Sequence, residues 1–217
     1  MREPPAAPSA APAPPSRGAS PGAAGSARAP EDAASCLAKL GASSVKAETV
    51  PAPPASLQDC GIAAPVRLSS ITLASGASLD LVDRPILDCE FAGVFADYAR
   101  NAMAPLAQSM LGSPIAALAT GPGYECRGRN RVGGAKTSAH GKGIAIDLAL
   151  IMLADRRRIE IVGQSEARET LFVHTMRKAA CGWFTTVLGP GSDAAHANHL
   201  HFDILRHGAS ENYRICE

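Results

Sequence analysis

Three of the six histidines in this chain fall within eight residues, "HANHLHFD" at 196–203, together with an aspartate. Imidazole and carboxylate groups bind divalent metals, and imidazole moves protons near neutral pH. Successive side chains of a strand point to opposite faces. In "HLHFDIL", His199, His201 and Asp203 therefore share one face, and Leu200, Phe202 and Ile204 share the other. The apolar set packs on a core, and the polar set lines whatever the strand faces. An earlier stretch, "SAHGKGIAID" at 138–147, runs into "LAL" and repeats the pattern. There Ile144, Ile146, Leu148 and Leu150 form the apolar face. Asp147 stands opposite, between Ala145 and Ala149, whose small side chains leave room beside the carboxylate. His140 lies seven residues before Asp147, in the loop leading into this strand.

If the two strands are neighbours, His140, Asp147 and His201 converge on one point. Two imidazoles and a carboxylate form a three-ligand zinc set that leaves a fourth position for water or substrate. A metal so held polarises a carbonyl and acidifies water, which suits amide hydrolysis. His199, on the same face, is then a base or a stabiliser of the tetrahedral intermediate. His196 orients His199 or touches substrate. One H-x-H alone would carry little weight, since a lone histidine on a strand is commonly a surface or core group. Two clusters, each with a polar face opposite a clean apolar face, carry more. His174, within a helical segment, and His207, after the last strand, are expected to play no part.

Competing motifs fail on spacing. In "GRNRVGGAKTS" the lysine does not follow the second glycine as a phosphate loop requires, and neither H-E-x-x-H, G-x-S-x-G nor C-x-x-C-H occurs. The arginine-rich loop is either a solvated connector or a trap for a substrate carboxylate, for which arginine is the usual bidentate partner.

The elements that must position these residues follow from pattern. "PEDAASCLAKLGA" reads as a short helix behind Pro30, and 66–83 as two short strands about a Ser-Gly turn. From Ile86, "ILDCEFAGVFADYARNAMAPLAQSML" has helical spacing, broken or kinked at Pro105. "SPIAALAT" reads as a strand, and "GIAIDLALIM" and "RRIEIVG" as strands about "ADR". "SEARETLFVHTMRKAACGWF" reads as an amphipathic helix with Ser165 as N-cap, and "TTVLGPGSDAA" as a connector into the final strand. Helices before and between paired strands predict an α+β fold, a small antiparallel sheet with flanking helices.

Composition sets the frame. Residues 1–35 are proline, alanine, glycine and serine without an apolar face, which predicts a disordered linker ahead of one domain at 36–217. Aromatics are only 4%, so the core is expected to rest on leucine, isoleucine and valine. A net charge of +1 and no basic run with interleaved aromatics argue against nucleic acid as a partner. No stretch reaches membrane-spanning length, and "MREPP" lacks the apolar segment of a secretory signal. The six cysteines are scattered with no C-x-x-C, which excludes zinc ribbons and predicts three disulfides formed in an oxidising compartment, their pairing left open. An export signal or membrane anchor upstream of this chain, and a monomeric state, are the corresponding expectations.

From Cys36 to Cys216 the chain resembles the bacterial extensin-like C-terminal domain, on "GYECR" (123–127), "SAHGKGIAID", "AACGWFTTVLGPG" (179–191), "HANHLHFDI" and "YRIC" (213–216). More distantly, its S-x-H-x-x-G-x-A-x-D and H-x-x-H-x-H patterns are similar to the lysostaphin, D-Ala-D-Ala peptidase and hedgehog superfamily, nearest to the penicillin-insensitive murein endopeptidases. That resemblance implies a hedgehog/D-Ala-D-Ala peptidase-like fold and a periplasmic or envelope zinc peptidase (Zn2+) acting on peptidoglycan peptides. By position it implies His140, Asp147 and His201 as metal ligands, His199 as catalytic histidine and His196 as a further active-site histidine. It also implies Arg127 and Ser138 as substrate-binding residues. The acidic residue that the dipeptidase branch places just before the last ligand is missing, which favours D,D-endopeptidase over dipeptidase action. The alternatives are a D,D-carboxypeptidase, a non-catalytic zinc-containing wall-binding domain and a structural zinc domain, the last disfavoured by the open fourth position.

Overall fold

A computed structural model describes residues 33–208 and 213–217. The expected linker lies outside the described residues except for Ala33–Ser35, which already form the first turn of a helix. That helix, α1 (Ala33–Ala42), is joined by the Cys36–Cys89 disulfide to α2 (Cys89–Tyr98). Two sheets pack around one core, and their strands are mostly antiparallel, so the fold is α+β as the pattern predicts.

The first sheet runs β1 (Val45–Thr49), β2 (Pro65–Thr72), β3 (Ser78–Leu81), β5 (Ile115–Ala119), β7 (Leu150–Leu153) and β8 (Arg158–Glu160), with β4 (Ile86–Asp88) paired to β2. The second sheet has the order β11 (Ile215–Cys216), β9 (Thr186–Leu188), β10 (Leu200–Asp203) and β6 (Ala145–Leu148). "GIAIDLALIM" is therefore not one strand. The chain crosses from the second sheet to the first at Ala149, whose N–H bonds Ala119 O in the other sheet. The two halves bury different faces, so Ile144 and Leu150 are only half-buried while Ile146 and Leu148 are fully enclosed.

Three further expectations are corrected, and the break expected at Pro105 is located just before it. Residues 86–88 form β4, and Asp88 then caps α2 by accepting the N–H of Glu90 at 3.0 Å. Pro105 lies in α3 (Ala104–Leu111) and is preceded by a π-turn at Ala99–Met103, where Ala104 N–H bonds Ala99 O. That wider turn accommodates a residue with no N–H to donate. Helix α4 (Ala167–Ala180) takes Glu166 rather than Ser165 at its N-cap, with no side-chain capping bond. Finally, β1, β9 and β11 escaped the pattern reading because each is short or follows a glycine- or proline-rich stretch.

The core is less aliphatic than composition suggests. All five phenylalanines, Phe91, Phe95, Phe172, Phe184 and Phe202, are fully buried. Phe202 of β10 stacks on Phe184 with centroids 5.0 Å apart, and Tyr98 packs against both at 5.6 and 5.3 Å. The Tyr98 hydroxyl donates to Met176 O at 2.8 Å, so no polar group is stranded there. A ring brings more apolar surface per residue than any aliphatic side chain, so five suffice to centre the domain. Two further disulfides fasten its periphery, Cys60–Cys126 and Cys181–Cys216. All six cysteines are thus paired, as expected for a chain that matures outside the reducing cytoplasm. No described helix is long and apolar enough to cross a membrane.

Phe202→Ala is expected to lower the unfolding free energy by about 3–5 kcal/mol, the usual cost of emptying a buried phenylalanine site. Chemical denaturation followed by circular dichroism measures it.

Candidate metal centre

β6 and β10 pair antiparallel with Asp147 opposite His201 and Ile146 opposite Phe202. This register puts Ile146 and Phe202 in the core and Asp147 and His201 on the outer face. His140 arrives from a 3-10 turn, Ala139–Lys142, where the Ser138 side chain accepts the His140 N–H at 3.4 Å. The three side chains meet. Asp147 Oδ1 is 2.9 Å from His201 Nδ1, Asp147 Oδ2 is 3.2 Å from His140 Nε2, and the two ring nitrogens are 3.2 Å apart.

The far side of each ring fixes which nitrogen faces the centre. His140 Nδ1 lies 2.7 Å from Gly123 O, and a carbonyl only accepts, so Nδ1 carries the proton. Gly123 has φ +76°, and a Cβ there would lie 2.6 Å from Ile86 O, so only glycine brings this carbonyl to the ring. His201 Nε2 lies 2.9 Å from Asp203 Oδ2, so that nitrogen is the donor. In the neutral rings, His140 Nε2 and His201 Nδ1 thus turn lone pairs toward one another and toward a carboxylate. Three acceptors crowded this closely require a cation between them. Ligands about 2.0–2.2 Å from a tetrahedral ion sit roughly 3.3–3.5 Å apart, close to the separations here. A carbonyl and a carboxylate on the far nitrogens are the usual outer partners of metal-bound histidine. The residues fit a divalent metal, and His140, Asp147 and His201 are a possible metal-binding group by ligand type and convergence.

Without a metal, a proton substitutes. Burial works against the charged His201 ring, but Asp147 and Asp203 outweigh it and its pKa is pushed up to about 9. Burial likewise favours the neutral Asp147 carboxyl, yet bonds from His140 and His201 hold it well below the usual carboxylate range.

The surrounding cleft has a volume of about 480 Å³ and is lined by Asp147, His196, His199, His201, Arg127 and Ser138, among others. All seven residues expected at the site are thus brought into contact with it or directly beside it. His199 Nδ1 is 3.0 Å from Asn198 Oδ1, and its Nε2 is 3.4 Å from Asp147 Oδ1, so its ring edge reaches the ligand cluster. Burial, joined by the neighbouring histidines and opposed by Asp147, lowers its pKa. His196 does not hydrogen-bond His199, and their ring centroids are 5.3 Å apart. It is instead oriented by Asp193, whose Oδ1 accepts both its Nδ1–H at 2.7 Å and its backbone N–H at 3.0 Å. Burial raises the Asp193 pKa, but these bonds outweigh it and keep the carboxyl ionised.

Arg127 is partly committed, donating from Nε to Glu125 Oε2 at 2.8 Å. Arg131 grips the same carboxylate with both terminal nitrogens. Burial raises the pKa of Glu125, but the two guanidiniums outweigh it and lower it. Arg129, also on the cleft wall, is exposed. Cys60–Cys126 pins the loop immediately before Arg127.

Sequence reasoning missed three contributors. Asp203 was visible on the His201 face by period two, but nothing marked it as the partner of the far nitrogen. Asp193 stands three residues before His196, the spacing of a turn cap. His207, expected to be uninvolved, lines the cleft and meets Thr186 Oγ1 at 2.7 Å. His174 lies on the exposed surface of α4, away from the residues that line the cleft.

Among known proteins, the family described as extensin-like protein C-terminus matches residues 34–217. No curated relative and no solved structure shows a significant match.

Two outcomes follow for metal and pH. Asp147→Ala and His201→Ala are expected to abolish stoichiometric metal, and Asp203→Asn to weaken its affinity about 10–100-fold, measured by competition with a chromophoric chelator. In the metal-free protein the raised His201 pKa stabilises the fold fully below the unfolded value of 6.5, and that contribution is lost as pH rises through about 9. Thermal melts of chelated protein are expected to fall across that window. Metal-loaded protein, with His201 held neutral, is expected to lose stability on acidification instead.

Proposed function

The chain belongs to the extensin-like C-terminal family, and we propose that it is a zinc-dependent peptidase of the cell envelope that hydrolyses peptide cross-links of peptidoglycan, in the D,D-endopeptidase mode. The observation that carries this reading is the meeting of His140, Asp147 and His201 with two imidazole lone pairs turned inward. Two imidazoles and one carboxylate suit zinc and leave it a position for substrate. When bound there, zinc would supply the Lewis acidity that polarises a scissile carbonyl and acidifies water.

The chain's own residues supply the rest. His199, neutral near pH 7 because burial lowers its pKa, stands at the cluster ready to take a proton and later return one to the leaving amine. His196, held by Asp193 with its Nδ1–H engaged, keeps its Nε2 for the cleft, where it accepts a proton or steadies a developing charge. Arg127 retains guanidinium N–H groups beyond its bond to Glu125, and these suit a substrate carboxylate. Ser138 lines the same wall, but its oxygen is also used to cap the turn that delivers His140, so its contribution is as much to the ligand as to substrate. Three disulfides suit work in the periplasm or at the cell surface. The similarity to the murein endopeptidases in S-x-H-x-x-G-x-A-x-D and H-x-x-H-x-H supports the choice of substrate.

His199→Ala is expected to keep its zinc yet hydrolyse purified muropeptide dimers at least about 100-fold more slowly, as loss of a proton-transfer group does. Mass spectrometry of the digest reads the rate, and a variant cleaving at the wild-type rate removes His199 from the mechanism. Sedimentation of wild-type protein with sacculi, without release of new amines, would instead favour the non-catalytic wall-binding reading.

A further inference from the structure

The turn that delivers His140 is gripped from two sides, and a disulfide joins the two grips. On one side, Gly61 N–H bonds Gly141 O at 2.8 Å. On the other, Glu125 N–H bonds His140 O at 3.3 Å, and Gly123 O accepts the His140 ring proton at 2.7 Å. Cys60 and Cys126, each one residue from one of the two backbone donors, form the bridge. Its sulfur lies directly against the turn. A Cβ on Gly141 would stand 3.0 Å from Cys60 Sγ and 2.8 Å from Thr137 Cγ2. Gly141 does not have a positive φ, so glycine serves there by its size, letting the turn seat against the bridge.

The two grips are not equally secure. The segment bearing Gly123 and Glu125 is tied to β4, with Ile86 N–H on Pro122 O at 2.9 Å and Tyr124 N–H on Ile86 O at 2.8 Å. The segment bearing Cys60 has no such strand beside it. Residues 51–59 form no helix or strand, and all but Pro53 are exposed. They meet the other segment where the Tyr124 hydroxyl donates to Pro54 O at 3.0 Å and Leu57 N–H points at Cys126 Sγ at 3.2 Å. Downstream, Ile62 is buried against Gly143. Opening the bridge therefore loosens the Gly61 grip and leaves the Glu125 grip in place. The bridge is also within reach of a soluble thiol, since both of its cysteines are half-buried, whereas Cys36–Cys89 is enclosed at 6% and 0% exposure.

We propose that Cys60–Cys126 is the positioning bridge of the metal centre, so that the redox state of this one disulfide sets how tightly the centre holds a divalent ion. The inference rests on His140, Asp147 and His201 being metal ligands and adds what controls them. With the bridge closed, His140 is preorganised. With it open, binding must also order the turn, and that cost is subtracted from affinity. Opening takes two electrons and two protons from a dithiol: the S–S bond breaks to two thiols, and the dithiol closes to its own disulfide. Coupling between two equilibria is reciprocal. An ion that favours the closed bridge makes that bridge harder to reduce by the same factor, and each tenfold in affinity corresponds to about 30 mV for a two-electron couple.

The test uses the full chain and zinc, with affinity read by competition against a chromophoric chelator. Cys60→Ser/Cys126→Ser is expected to bind zinc at least about tenfold more weakly than wild type, as loss of a group supporting a ligand does. Serine also keeps free thiolates from taking the ion. Gly141→Ala, which retains the bridge but has no room for its methyl group, is expected to weaken zinc binding likewise. Cys181→Ser/Cys216→Ser, which opens the bridge at β11 instead, is expected to keep wild-type affinity. In dithiol redox buffers at fixed free zinc, alkylation and peptide mass spectrometry follow each disulfide of the wild-type chain. Zinc is expected to move Cys60–Cys126 by at least about 30 mV toward more reducing potentials and to leave Cys181–Cys216 unmoved. That measurement needs no variant, so it decides the matter even if the serine pair does not fold. Wild-type affinity in the folded serine pair, an equal loss in Cys181→Ser/Cys216→Ser, or a Cys60–Cys126 potential that ignores zinc each overturns the bridge's role and leaves the metal centre standing. Wild-type protein that binds no zinc overturns the metal centre and the bridge's role together.

Discussion

The pairing of β6 with β10 in the register Asp147–His201 is the constraint on which everything else depends. Side chains alternate with period two, so a slip of one residue would turn the polar faces inward and the apolar faces outward together. The core prevents the slip. Ile146, Leu148, Leu200 and Phe202 are all without solvent contact, and Phe202 is locked between Phe184 and Tyr98. The same alternation that buries these four presents Asp147 and His201 to the opposite side. Burial energy thus holds the candidate metal-binding pair in place, although the pair itself gains nothing from hydrophobic contact.

That arrangement has an electrostatic cost that the surroundings offset. His140, His201 and Asp203 are buried, and Asp147 is half-buried, in a cluster whose inner atoms all accept. Each ligand is steadied from behind, His140 by Gly123 O, His201 by Asp203, and the turn carrying His140 by Ser138. The inner charge is met by a proton in the metal-free protein, and a divalent ion would occupy the same few ångströms. A divalent ion held there would make folding, metal loading and pH aspects of one equilibrium. The disulfides act further out. Cys60–Cys126 anchors the arginine loop on one flank of the cleft, and Cys181–Cys216 anchors β11 on the other.

Much of this was legible in the sequence, for a physical reason. The candidate ligands Asp147 and His201 sit on elements whose hydrophobic alternation is strong, as in "HLHFDIL" and "GIAIDLAL", and alternation fixes faces without reference to the rest of the fold. The α+β class followed from the same periodicity. What escaped depends on long-range placement. The break at Ala149 is invisible because both halves of "GIAIDLALIM" are apolar, and only the existence of two sheets separates them. β9 and β11 are too short to show a period, so the part of the cleft lined by Thr186, Leu188 and Ile215 could not be read, nor could the approach of His207 to Thr186. Disulfide pairing, the donor to Gly123 O and the Asp203–His201 bond are likewise facts of three-dimensional proximity. Composition misled only about the core, where five phenylalanines count for more than their number.

The central claim, that an imidazole and a carboxylate from one segment share a divalent ion with an imidazole from another, is tested most directly by X-ray absorption at the zinc edge on zinc-loaded protein. The account predicts a first shell of nitrogen and oxygen at about 2.0–2.2 Å, with the outer-shell scattering of two imidazoles and no sulfur. A spectrum showing hydrated zinc without imidazole scattering, or one unchanged in the double variant His140→Ala/His201→Ala, would contradict it.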